Sequence, residues 1–213
     1  MNSSSTAAER VAPQGETRST SAPARRPEMI TWQSYGEPRL EQVRLLLSDQ
    51  RLRASGRLVS AGPNEQFSAS FELSVGEDGT VTRLLLRTAT VEEERQISVS
   101  HTDDGAWLVD HGQGAERAEF DGAVDVDVQF VVLFNSIPVR RLGLHREAGE
   151  QSLPVVRVSL PDLSVEVVRQ TYRTVSMGSE SSVVNFTSGD FSEDLTIDSQ
   201  GLVLDYPSVS HRI

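Results

Sequence analysis

The run Asp125-Val-Asp127-Val-Gln-Phe-Val-Val-Leu-Phe-Asn135-Ser-Ile-Pro138-Val-Arg140-Arg141-Leu142 sets two carboxylates, an amide and two guanidinium groups among apolar residues. Val, Ile and Phe are driven under cover, and a charge carried with them is costly unless it is paired. The segment therefore holds an internal ion-pair network or lines a cavity that takes a polar ligand head. Read as strands, Asp125 and Asp127 point to one face, and the adjacent Arg140 and Arg141 point to opposite faces. Only one Arg can then meet the Asp face, and Asp205 near the C-terminus is a further candidate partner. Three chemistries follow. The first is a structural Asp–Arg network that fixes strand register. The second is recognition of a sugar or phosphate, with Arg giving bidentate contacts and Asp accepting from hydroxyls. The third is glycoside chemistry by a carboxylate pair. Acids saturated by Arg are expected to titrate low and to make poor general acids, which ranks catalysis last.

Gln170 and Tyr172 also share a strand face, as structural polar groups or as ligand contacts. Trp32, Tyr35, Trp107, Phe130, Phe134 and Tyr206 are core filler by default, and the alternative is a wall that stacks on a sugar or lines an acyl groove. His101, His111, His145 and His211 are the only histidines. No tetrahedral ligand spacing joins them, and Asp103-Asp104-Gly105 reads as a hairpin turn, so no metal is expected. There is no Gly-x-Ser-x-Gly, no Gly-x-Gly-x-x-Gly after a strand and no phosphate loop. The expectation is a binding protein, not an enzyme, without a cofactor.

The elements that position these residues show period two, not 3.6. Phe67, Ala69, Phe71, Leu73 and Val75 alternate with Ser68, Ser70, Glu72 and Ser74. Ile97 and Val99, and Val124, Val126 and Val128, alternate with polar residues in the same way. This marks antiparallel strands with one covered and one wet face. Turns interrupt at Ser48-Asp49-Gln50, Gly62-Pro63-Asn64, Gly76-Glu-Asp-Gly79, Asp103-Asp104-Gly105 and Asp198-Ser-Gln-Gly201. The expected strands are 40–48, 51–60, 66–75, 80–90, 94–101, 106–110, 123–132, 138–146, 152–160, 163–175, 181–188, 193–198 and 202–206. The fold class is all-β: a single large antiparallel meander forming one curved sheet or a barrel. Helix is confined to a short turn within 111–120, weakened by Gly112 and Gly114. Leu45-Leu46-Leu47 and Leu84-Leu85-Leu86 are apolar on both faces, which suggests an enclosed apolar groove or a face covered by a homodimer mate.

The chain has 213 residues and no cysteine, so disulfides, thiolate chemistry and Cys-ligated metals are excluded. All 20 basic residues are arginine, which rules out Schiff-base chemistry on lysine. The net charge of −11 argues against nucleic acid and against an anionic membrane surface. Residues 1–27 are rich in Ser, Thr, Ala, Pro and Arg and read as a disordered tail, with 28–213 as one β-domain. No apolar run reaches the ~20 residues that span a bilayer. No positively charged start leads into an apolar signal core, so the expected location is cytoplasmic.

Three segments resemble a bacterial family described as putative glycolipid-binding, formerly a domain of unknown function. Asp125-Val-Asp127 with Asn135-Ser-Ile-Pro138-Val-Arg140-Arg141-Leu142 is similar to the family's Asp-Val-Asp and Asn-Thr-Leu-Pro-Ile-Arg-Arg-Leu. Pro161-Asp-Leu-Ser-Val-Glu-Val-Val-Arg-Gln170-Thr-Tyr172 is similar to its Pro-x-Leu…Gln-x-Tyr strand. Asp198-Ser-Gln-Gly201-Leu-Val203-Leu-Asp205-Tyr206-Pro207 is similar to Asp-x-x-Gly-Leu-Val-x-Asp-Tyr-Pro. Trp32, Glu41 and Ala54-Ser-Gly56 fall in the right order upstream. The sequence departs at Val131-Val-Leu-Phe134, where the family has Thr-Pro-Phe-Thr. It departs again at Ala123, where Cys is common, and at Gly79-Thr-Val81, where the family has an Asp-x-x-Trp hairpin. The resemblance implies an open half-barrel or spiral β-roll, similar to periplasmic carriers of lipoproteins or lipids. It implies a glycolipid or acyl-chain ligand, for which the candidate contacts are Asp125, Asp127, Asn135, Arg140, Arg141, Gln170, Tyr172, Asp205, Tyr206 and Trp32.

Overall fold

The computed structural model describes residues 1, 27–48, 51–63 and 65–213. The expected tail over residues 1–27 and the turn at Asp49-Gln50 fall almost wholly outside the described residues. In chain order the strands begin with β1 (Glu28–Ser34), β2 (Arg39–Ser48), β3 (Arg51–Ala61), β4 (Gln66–Val75), β5 (Val81–Ala89), β6 (Glu94–His101), β7 (Trp107–Asp110) and β8 (Glu116–Ala118). They continue with β9 (Asp125–Val128), a helix α1 (Leu133–Arg141), β10 (Glu150–Val158), β11 (Val165–Met177), β12 (Ser181–Ser188), β13 (Phe191–Asp198), β14 (Val203–Tyr206) and β15 (Ser210–Arg212). All fifteen strands form one sheet in the order β8-β7-β6-β5-β4-β3-β2-β1-β15-β14-β13-β12-β11-β10-β9. Pairing is antiparallel throughout, except that β9 runs parallel to β10. The first and last strands meet in the middle of the sheet, where Trp32 faces Arg212 and Ser34 faces Ser210.

This order forces the sheet to curl. β8 and β9 are the two edges, yet only residues 119–124 connect them. Laid flat, fifteen strands would separate the edges by roughly 67 Å at about 4.8 Å per strand. The connector reaches at most about 25 Å. The sheet therefore bends until its edges are neighbours, and it stays open because β8 and β9 do not pair. The β9 side crosses to β5 instead: the Val81 N–H donates to the Val124 carbonyl at 3.0 Å, and Thr88 Oγ1 donates to the Pro161 carbonyl at 2.8 Å. Alternation sends Val43, Leu45, Leu52, Phe71, Leu73, Leu84, Leu86, Ile97 and Val99 inward to one continuous core.

Residues 138–146 differ from the expected strand, since 133–141 are helical. The cause is topological. Parallel strands cannot be joined by a tight turn, and β9 and β10 are parallel, so a crossover is required and α1 supplies it. The helix lies in the hollow of the curl with every residue buried except Arg141. A helix covered on all sides needs no polar face, so it shows no 3.6-residue pattern to read. It also closes the hollow: Leu133, Phe134, Ile137 and Val139 pack into the core where an enclosed groove is expected. The expected helical turn at 111–120 is instead a bend followed by β8. β1, β8 and β15 are strands without a counterpart in the expected set.

Candidate functional site

The edge strand β9 presents both carboxylates, and each takes its own arginine. Asp125 is fully buried and bonded by Arg141, with Nη2 at 2.5 Å from Oδ2 and Nε at 3.3 Å from Oδ1. The two-pronged contact suits a guanidinium against a carboxylate. Asp127 lies opposite Arg157 in the β9–β10 register, with Arg157 Nε at 3.5 Å from Oδ2. Arg157 also donates to Ser188 Oγ at 3.2 Å. Arg140 and Arg141 do not straddle a strand. They end α1, and Arg140 turns to the Gln200 carbonyl in the β13–β14 turn.

From Asp127 a chain of hydrogen bonds runs inward. Gln170 Nε2 donates to Asp127 Oδ2 at 2.8 Å, and the Tyr172 hydroxyl donates to Gln170 Oε1 at 3.0 Å. Asn135 Nδ2, on α1, donates to the Tyr172 oxygen at 3.3 Å. Helix, β11 and β9 are thus tied by one polar thread that ends on the Asp127 carboxyl. The expectation of low-titrating acids is reversed. Burial pushes the carboxyls of Asp125 and Asp127 up, against the opposing pull of Arg141 on the first and of Arg157 and Gln170 on the second. Burial also pushes the Tyr172 and Tyr206 hydroxyls up.

Beside Asp127 opens a cavity of about 290 Å³. Its polar lining residues are Asp127, Gln129, Asn135, Arg157 and Ser188, beside the hydroxyl of Tyr206. Its wall is aromatic. Phe186, Phe191 and Tyr206 form a triangle of rings with centroids 6.1 to 6.2 Å apart, and Phe186 also packs on Tyr172 at 5.2 Å. Phe130, at φ +67, forms part of the lining and carries the Arg39 guanidinium over its ring at 3.9 Å. Aromatic rings that line one hollow with a carboxylate, an amide and a guanidinium can stack on the apolar face of a sugar ring and bond its hydroxyls.

The ten residues singled out from sequence therefore divide by position. Asp127, Asn135 and Tyr206 line the cavity, while Gln170 and Tyr172 stand behind Asp127. Asp125 and Arg141 form a largely buried pair away from the lining. Asp205 accepts a hydrogen bond from the Tyr35 hydroxyl at 2.5 Å and is separate from the Asp–Arg cluster. Trp32 is fully buried, and its Nε1 donates to the Val203 carbonyl at 2.9 Å. Arg157, Ser188, Phe186 and Phe191 also line the cavity and are not among those ten. For Arg157 a signal existed: a lone charge in the apolar run Val155-Val-Arg157-Val, the same cue that marks β9. The ring triangle had none, because strand pairing alone assembles it. Among the described residues no cluster of His, Asp and Glu could hold a metal ion, and no helix is long and apolar enough to cross a membrane.

A family model described as "Putative glycolipid-binding" matches residues 29–212. A crystal structure of a DUF1089 family protein from Pseudomonas aeruginosa is similar in fold, with a TM-score of 0.67 and 24% identity over 85% of this chain and 95% of that one. No curated protein matches.

Proposed function

We propose that this chain, which belongs to the family described as "Putative glycolipid-binding", is a non-enzymatic protein that holds the sugar-bearing head of a glycolipid in the cavity beside Asp127. One observation carries the reading: the Phe186–Phe191–Tyr206 rings line a single hollow together with Asp127, Asn135 and Arg157. Its volume of about 290 Å³ is at the small end for ligand pockets, roughly 300–1,000 Å³. That suits one sugar ring or a phosphorylated head, and leaves the acyl part of an amphiphile outside, since α1 fills the interior of the curl. Such a chain would leave past the exposed Phe191 and the partly buried Val209, which also line the hollow.

Binding is favoured over hydrolysis because Asp127 is the one carboxylate in the lining. Glycosidases normally use two acids flanking the scissile bond. Native mass spectrometry after exposure to lipid extract tests the reading. A glycolipid adduct that is lost in Asp127→Asn and in Phe186→Ala, with the fold intact by circular dichroism, is the expected result. No adduct with any extract, or turnover of a glycoside that disappears in Asp127→Asn, overturns it.

A further inference from the structure

Bulk charge hides a segregated basic face. The outward positions of β2, β3, β4 and β5 carry Arg44, Arg51, Arg53, Arg57, Arg83 and Arg87, against one acid, Glu72. Arg51 pairs with Glu77 at 2.5 Å. Arg44, Arg53, Arg57, Arg83 and Arg87 are all exposed and make no ion pair or hydrogen bond among the described residues.

Register arranges them. Ser70 lies between Arg57 on β3 and Arg87 on β5, and Ser74 lies between Arg53 and Arg83. Ser70 and Ser74 are therefore low points of β4, with the exposed Glu72 between them, and the arginines stand on either side about 10 Å apart, twice the strand spacing. Hollows of about 410, 520 and 660 Å³ lie on this face. Exposed aliphatics are interleaved with the charges. Met29 faces Arg44 across the β1–β2 pair, and Leu40 faces Val59 across β2–β3. They are 60%, 45% and 53% exposed for Met29, Leu40 and Val59. No aromatic side chain points outward from these four strands.

We propose that the outer face of β2–β5 docks on the surface of an anionic phospholipid bilayer. Unpaired guanidiniums beside exposed aliphatics suit phosphate head groups over an apolar layer. The lack of outward aromatics argues against single-stranded nucleic acid, which needs stacking platforms. A second copy is disfavoured because a two-fold interface would set this basic face against itself. The overall charge of −11 does not forbid docking, because charges beyond the Debye length of about 8 Å at physiological salt are largely screened. The inference is independent of the cavity reading.

The test is sedimentation of the full chain with vesicles of phosphatidylcholine alone or mixed with phosphatidylglycerol, neither containing glycolipid. Co-sedimentation is expected only with phosphatidylglycerol, at low salt, and is expected to vanish near 1 M salt, where screening acts within about 3 Å. Arg57→Ser with Arg87→Ser should weaken it roughly 30-fold, from about fivefold per basic residue. Arg169→Ser with Arg173→Ser, exposed on β11, should leave it unchanged. Equal binding to neutral vesicles, equal loss in both double variants, or binding to duplex DNA or an acidic peptide with none to vesicles overturns the proposal. Those outcomes leave the cavity reading standing.

Discussion

Glu41 Oε2 accepts the Val132 N–H at 2.6 Å, although 91 positions separate the two residues. Oε1 accepts from Leu133 at 3.3 Å, so a buried carboxylate of β2 satisfies the free amides at the start of α1. The helix begins where the central sheet supplies an acceptor, since Val132 itself offers no capping side chain.

That cap makes stability depend on pH. Burial pushes Glu41 up to about 8 from 4.5, despite the two amides that pull it down. Between those values the folded protein holds a proton that the unfolded chain has released. Stability should therefore be full below about pH 4.5 for this group and fall as pH rises toward 8. The size is on the order of 5 kcal/mol at about 1.4 kcal/mol per unit. Urea melts across this range should show the decline in wild type and a flatter profile in Glu41→Gln. An unchanged slope in the variant would assign the dependence to other groups.

The Asp125–Arg141 pair anchors the end of α1 to β9, with the carboxyl fully buried and the guanidinium partly so. Arg141→Met strands a fully buried carboxylate and should cost about 3–5 kcal/mol. Asp125→Leu with Arg141→Met should recover most of that loss, because no unpaired charge remains. Denaturant melts of the singles and the double close the cycle. A single-variant cost below about 1 kcal/mol would contradict a largely buried pair.

Tyr172→Phe removes the hydroxyl between Asn135 and Gln170 and leaves both amides short of a partner. The expected cost is about 1–3 kcal/mol, the range for an unsatisfied buried polar group. If the polar thread also positions Asp127, glycolipid adduct formation in native mass spectra should drop in the same variant. Loss of stability with full binding would confine the thread to a structural role.

Gly201, at φ +82, lies against the Arg140 side chain: a Cβ there would stand 2.6 Å from Arg140 Cγ and 3.0 Å from His145 Cε1. Gly105, at φ +86, has nothing within 4 Å of such an atom. Both Gly→Ala changes pay for the left-handed backbone, about 1 kcal/mol. Gly201→Ala should cost a further 1 kcal/mol or so from crowding. Equal melting shifts in the two variants would show that Arg140 yields freely.

Alternation by itself determined that this chain is an all-β sheet. Phe67 to Val75 and Ile97 to Val99 show which face is covered without reference to any partner, because side-chain direction on a strand is local. The same locality made Asp125 and Asp127 legible as charges that must be paired. Which arginine pairs them was not local. Arg157 meets Asp127 only because β9 and β10 run parallel, and Arg141 meets Asp125 only because the crossover is helical. The helix was illegible for the same reason, since total burial erases its period and its cap comes from Glu41 on a distant strand. The ring triangle and the basic face are likewise products of register across strands far apart in the chain. Tertiary structure decided these, because strand order and curl set which residues meet, and they depend on contacts that no short window of sequence contains.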